Sequence, residues 1–141
     1  MNKREFIRLS ALGAVTGVIA PSSILAANDS LKGAGGLFYT KDAPGRWSKK
    51  ANGHLPNIEV SKSASGTNIE VVTSHEMKWF GHYIIKHTVL NDKFEFITEN
   101  IFNPEKDKLA LSQFDLGGYS GRVHVLSMCN LHDVWLNTAD I

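Results

Sequence analysis

The 141-residue chain has a single cysteine, Cys129, so an internal disulfide is excluded. A lone thiol then needs another reason to be there. Metal ligation is one reason, and burial as a small hydrophobe is the other. An excess of one charge is missing too. Lys and Arg number 15 against 14 Asp and Glu, a formal net charge of +1. That balance gives no electrostatic footprint for nucleic acid or an anionic membrane surface. After the first residues there is no long amphipathic helical pattern, no internal repeat and no low-complexity run beyond a short polar stretch.

What is present begins with an export signal. Lys3-Arg4-Glu5-Phe6-Ile7-Arg8 precedes an apolar run from Leu9 to Ile19, with small residues at Ala26 and Ala27. A charged start, a short apolar centre and a small-residue exit define a secretory signal. The run is shorter than the ~20 residues of a membrane span, which disfavours the competing reading as an anchor. The Lys-Arg-x-Phe-Ile-Arg core resembles a twin-arginine signal, with Lys3 in place of the first arginine. The expected organisation is a signal over residues 1–27, a flexible arm over 28–46 and one domain over 47–141. The product is expected in the periplasm, off the membrane once the signal is cleaved. Roughly 114 residues then remain, with a net charge near −1, enough for one domain with a real core.

The domain reads as all-β. Leu55–Val60, Thr67–Thr73, Tyr83–Leu90, Lys93–Thr98, Leu109–Phe114 and Arg122–Met128 are rich in Val, Ile, Phe and Thr. Ala64-Ser65-Gly66, Asn91-Asp92, Asn103-Pro104 and Gly117-Gly118 separate them as turns. Short strands at this spacing predict a β-sandwich. Glu95 between Phe94 and Phe96 gives the period-two alternation of a half-buried strand. Phe38, Tyr39 and Trp47 flank Ala43-Pro44-Gly45 and are expected to dock on the domain edge.

The chemistry gathers in four short words: His54-Leu55-Pro56-Asn57-Ile58, Ser74-His75-Glu76-Met77, Gly81-His82-Tyr83-Ile84 and Cys129-Asn130-Leu131-His132-Asp133-Val134-Trp135. Four imidazoles and a thiolate can hold one iron, copper or zinc ion. In their fixed order, from about Trp47 to Trp135, these words resemble the superoxide reductases, the neelaredoxin and desulfoferrodoxin family. The resemblance implies an immunoglobulin-like β-sandwich and a mononuclear iron, ferrous or ferric, as cofactor. It implies His54, His75, His82 and His132 as equatorial ligands and Cys129 as the axial thiolate. The position opposite the thiolate is then open to substrate, and catalysis rests on Cys129 and His54. A thiolate pushes electron density through iron, as in haem–thiolate proteins. The implied reaction is one-electron reduction of superoxide to hydrogen peroxide. The implied partners are superoxide, an electron donor of the rubredoxin-like or periplasmic cytochrome kind, and further copies of the chain in a homo-oligomer. With one cysteine there is no additional four-cysteine iron domain, so the likeness is to the one-iron form.

Two departures stand out. His75 and His82 are seven residues apart, where the family spaces them by six. An odd offset along a strand puts side chains on opposite faces. A loop or bulge is therefore expected between them, with Gly81 making the turn. The Glu-Lys pair that often precedes the first histidine is replaced by Asn52 and Gly53, leaving Lys49, Lys50 or Lys78 to supply positive charge. Two other functions fit a β-sandwich with this set. One is a cupredoxin-like periplasmic electron carrier, disfavoured because no Met follows His132. The other is a non-catalytic metal-binding sensor or partner domain. His87 and His124 match no family word and are read as surface or core residues, Met77 and Met128 as packing, and Trp135 as core or site wall.

Overall fold

The computed structural model describes residues 31–141; the expected export signal lies outside the described residues. Among the described residues no helix is long and apolar enough to cross a membrane. A 3-10 helix, Gly45–Lys50, runs into one α-helical turn, Ala51–His54. Seven strands follow: β1 (Pro56–Ser63), β2 (Gly66–Thr73), β3 (Ile84–Leu90), β4 (Phe96–Ile101), β5 (Ala110–Asp115), β6 (Arg122–Cys129) and β7 (Val134–Asp140). They form two sheets, ordered β1-β2-β5 and β4-β3-β6-β7, with every pairing antiparallel. This is the all-β architecture expected from the spacing of the apolar runs.

Period-two burial stacks the interior in layers. Val71, Val89, Phe114 and Val125 belong to one apolar cluster, together with Ile69, Leu116 and Val123. Two residues further along each strand the inward positions turn polar: Thr73, His87, Ser112 and Ser127, all buried. Beyond them lies a second apolar cluster, Ile84, Phe102, Ala110 and Cys129. A register shift in the β3–β6 pairing between Ile84 and Lys86 returns Ile84 to the inner face opposite Cys129. The polar layer thus separates the main core from the end of the sandwich that carries the thiol.

His87 completes that layer. Its Nε2 lies 2.9 Å from Thr73 Oγ1 and its Nδ1 2.9 Å from Ser112 Oγ, while Thr73 Oγ1 and Ser127 Oγ are 2.8 Å apart. Burial pushes the imidazole pKa down to about 4. The unfolded chain therefore takes up a proton near pH 6.5 that the folded one refuses until about 4. Stability contributed by neutral His87 is fully present above pH 6.5 and falls by about 3 kcal/mol as the pH drops to 4. Thermal melts of His87→Gln should show a correspondingly shallower loss over that window, and equal slopes would remove His87 from the acid response.

Three local expectations are corrected. β4 starts at Phe96 rather than Lys93, because the Asn91 side chain accepts from the backbone N–H groups of Lys93 and Glu95 and organises a turn there. The Phe94-Glu95-Phe96 alternation accordingly marks no half-buried strand. Phe94 has φ 62° and stacks on His124 at 4.1 Å, and Phe96 is exposed. β7 follows the last expected strand and pairs with β6 from Val134 to Asp140. Tyr39 and Trp47 do dock, as expected. Tyr39 is buried and exchanges backbone hydrogen bonds with Val134 and Leu136, which fixes part of the stretch read as an arm.

Candidate metal centre

The ligand candidates arrive from three stretches of chain. His54 ends the α-helical turn just before β1 and is buried. His75 follows the end of β2, with its N–H donating to Thr73 O at 2.7 Å. His82 stands just before β3, Cys129 is the last residue of β6, and His132 lies in the β6–β7 turn. The irregular connection between His75 and His82 is a tight hairpin: Lys78 N–H donates to His82 O at 2.9 Å, and Gly81 N–H to Lys78 O at 3.2 Å. The residue that turns the chain is Trp79, at φ 49°, and not Gly81. This loop re-aims His82 so that both histidines face one point.

One donor atom from each of His54, His75, His82, Cys129 and His132 lies within 4.8 Å of the others. Three nitrogen pairs are near neighbours: His54 Nε2 and His132 Nδ1 at 3.1 Å, His132 Nδ1 and His82 Nε2 at 3.1 Å, and His82 Nε2 and His75 Nε2 at 3.0 Å. Ring centroids at 4.6 Å for His54–His75, against 6.1 Å for His54–His82, close the set into a cycle with a longer diagonal. Nitrogens at right angles about a first-row metal, with bonds of ~2.0–2.1 Å, would be ~2.9 Å apart, close to these separations. Cys129 Sγ lies 3.5 Å from His132 Nδ1 and 3.8 Å from His75 Nε2.

The outward nitrogens show that these lone pairs are meant to converge. His54 Nδ1 donates to Lys50 O at 2.8 Å, His75 Nδ1 to Glu76 O, and His82 Nδ1 to Glu76 Oε1 at 2.9 Å. Each bond places the proton on Nδ1 and leaves the Nε2 lone pair directed into the cluster, the usual outer support of a metal-binding imidazole. Burial first, then the neighbouring imidazoles, holds the His54 pKa at about 4, and burial lowers His75 and His132. These three rings are therefore neutral and ready to ligate at pH 7. Burial raises the Cys129 thiol, so a cation in the cluster is what would make it a thiolate. The residues fit a transition metal held by four nitrogens and one sulfur.

Several supporting residues escape the sequence reading. Asn130 joins the two loops that carry donors: its Oδ1 accepts from Tyr83 N–H at 3.0 Å, and its Nδ2 donates to Gly81 O at 3.1 Å and Phe80 O at 3.3 Å. Asp133 Oδ2 accepts from Arg46 at 2.6 Å and from Trp47 Nε1 at 2.8 Å, and the Trp47 ring meets His132 edge-on at 4.8 Å. Hydrogen bonds from Trp47 and then Arg46 keep the Asp133 carboxyl low. Glu76 is held at about 2 by hydrogen bonds from Lys78 and His82. Trp135 is both core and site wall: fully buried, it donates to His132 O at 3.0 Å and lies 5.8 Å from the His54 ring. Met77 packs against the second apolar cluster, and His87 and His124 stay outside the donor set.

With this geometry in place, comparison with solved structures is decisive for the architecture. The fold is that of the superoxide reductases. The neelaredoxin of Ignicoccus hospitalis superposes with a TM-score of 0.61 at 24% identity over 74% of this chain and 94% of that one. A variant of the same superoxide reductase gives a TM-score of 0.64 at 23% identity, over 74% and 93%. A reduced neelaredoxin variant from Archaeoglobus fulgidus gives 0.54 at 18% identity, over 66% and 91%. At these identities the likeness is one of fold. No family model matches the chain, and no curated protein matches it in sequence.

Proposed function

We propose that this chain is an iron-dependent superoxide reductase that acts after export, in the periplasm. The observation that carries the reading is the convergence of four imidazole nitrogens and one thiol, with three of the rings anchored through Nδ1–H. His54, His75, His82, His132 and Cys129 would hold the iron. Iron held there would supply one electron to superoxide, which with two protons would become hydrogen peroxide, an external donor then restoring the electron. Neutral imidazoles keep the charge of the site modest, so an anionic substrate is not repelled. His54 and Cys129 close the site on its buried side, while His82 and His132 are only partly covered and face the approach of solvent.

Lys50 supports the capture of an anion in place of the absent lysine. Its carbonyl orients His54, and its positive charge acts on both Cys129 and His132, adding to the burial that lowers His132 and opposing the burial that raises Cys129. Lys78 is engaged with Glu76 at 2.8 Å. Lys50→Gln should slow superoxide capture several-fold at low salt, on the scale of ~10-fold that a focused charge contributes. Gly53→Lys should restore it. Gly53 has no positive φ, and a Cβ there would meet only Ser74 O at 3.6 Å, so the side chain fits. Both effects should fade as salt screens them over ~10 Å at 0.1 M. Rates indifferent to both changes would place steering elsewhere.

The direct test is anaerobic loading with ferrous ion, followed by pulsed superoxide. One iron per chain and peroxide formed without oxygen release support the reading. Iron uptake without superoxide consumption would instead favour a non-catalytic metal-binding domain, to which Asn52 and Gly53 in the Glu-Lys places lend some weight. Uptake of copper in preference to iron would favour the electron carrier.

A further inference from the structure

We propose that Glu76 is a positioning residue of the metal centre, one that locks the His82 loop and makes His82 the most strongly donating imidazole of the four. The proposal rests on the reading that the cluster holds iron.

Glu76 serves two ligands at once. Its backbone carbonyl accepts from His75 Nδ1, and its carboxylate Oε1 accepts from His82 Nδ1 at 2.9 Å. Its other carboxylate oxygen takes Lys78 Nζ at 2.8 Å. Lys78 and His82 are bridge partners at the base of the hairpin turned by Trp79. The carboxylate therefore grips both sides of that base through their side chains, where the backbone already pairs them. A non-glycine residue at positive φ is a strained turn that persists only if its surroundings hold it. Glu76 is placed to do so at the base of the hairpin, while Asn130 ties its far side to the Cys129 loop.

The acceptors also differ in kind. His54 and His75 are held by neutral backbone carbonyls, whereas His82 donates to a carboxylate. A charge-assisted bond is roughly twice as strong as a neutral one. A carboxylate behind an imidazole also raises its basicity as a ligand. The added electron density favours the more highly charged, ferric ion. Glu76 should thus set the potential of the centre as well as the place of one ligand.

The test uses the full chain, its Glu76→Gln and Glu76→Ala variants, and ferrous ion under anaerobic conditions. Iron affinity is read by chelator competition and the ferric/ferrous potential by redox titration, with circular dichroism of the metal-free proteins as the fold control. Gln keeps an oxygen for His82 Nδ1 but loses the charge. Its iron affinity should stay near the parent's while its preference for ferric over ferrous ion falls roughly tenfold, a rise of about 59 mV for a one-electron couple. Ala should lose affinity by ~10–100-fold, the usual cost of removing an outer-shell partner. A merely structural role would lower stability in both variants and leave the Gln potential unmoved. Parental potential in Glu76→Gln, or parental affinity in Glu76→Ala, overturns the proposal. Failure of the parent chain itself to take up iron overturns instead the reading of the site, and the proposal with it.

Discussion

If the proposed iron centre is right, Cys129→Ser should abolish its visible thiolate-to-ferric charge-transfer band and nearly all superoxide reduction. Cys129 is buried at the end of β6, with Leu131 N–H donating to Sγ at 3.4 Å and the thiol facing His75 and His132. Serine fits the space, so the fold should survive, but a hydroxyl stays protonated where a thiol beside a metal ionises. The expected loss exceeds the ~10–100-fold that follows removal of an outer partner, because a donor atom itself is removed. Anaerobic iron binding, the oxidised spectrum and superoxide consumption of the folded variant check it. A variant that retained both band and turnover would remove Cys129 from the site.

Asn130→Ala should damage both iron binding and the fold although Asn130 is not one of the five donors. Asn130 supports Tyr83 N–H and the carbonyls of Phe80 and Gly81, all within the stretch that aims His82, while its own backbone continues the Cys129 loop. Alanine leaves Tyr83 N–H without that acceptor and removes the side-chain ties to Phe80 and Gly81, with only the Asn130 N–H bond to Tyr83 O left at this residue. Iron affinity should fall by ~10–100-fold, with a stability cost of about 1–3 kcal/mol for the stranded donor. Chelator competition and thermal melting report the two effects separately. Asn130→Asp keeps the oxygen for Tyr83 N–H and should recover part of the stability but not the contacts to Phe80 and Gly81.

The contrast between these residues explains what the sequence makes legible. His54, His75, His82, Cys129 and His132 could be read because the words around them resemble a known family, which set them apart from His87 and His124, and the structure brings all five together. Six of the seven strands were visible because Val, Ile, Phe and Thr cluster between turn signals. β7 was not, because Asn137, Thr138 and Asp140 break its apolar pattern, and its place is set by pairing with β6. The outer support was harder still. Two of its acceptors are backbone carbonyls, of Lys50 and Glu76, which any residue would supply. Asn130 and Asp133 sit inside the words, but their partners are fixed only when distant loops meet; the Glu76 carboxylate finds Lys78 and His82 only when the local hairpin closes. The odd His75–His82 offset did signal a loop. That Trp79 rather than Gly81 takes the left-handed conformation depends on how the hairpin closes at Lys78 and His82.

The reach of the donor set along the chain has a consequence for unfolding. His54 and His132 stand 78 residues apart, and β1 through β6 all lie between them. A metal bound by both would clasp the chain into a ring containing six of the seven strands among the described residues, with β7 outside it. Closing so long a loop removes chain entropy from the denatured ensemble, about 4–5 kcal/mol on the scale used for disulfides of comparable span. A chain with no second cysteine would then gain from a bound ion the cross-link that many small domains take from a disulfide. Loss of the ion would open the ring and silence the centre in the same event.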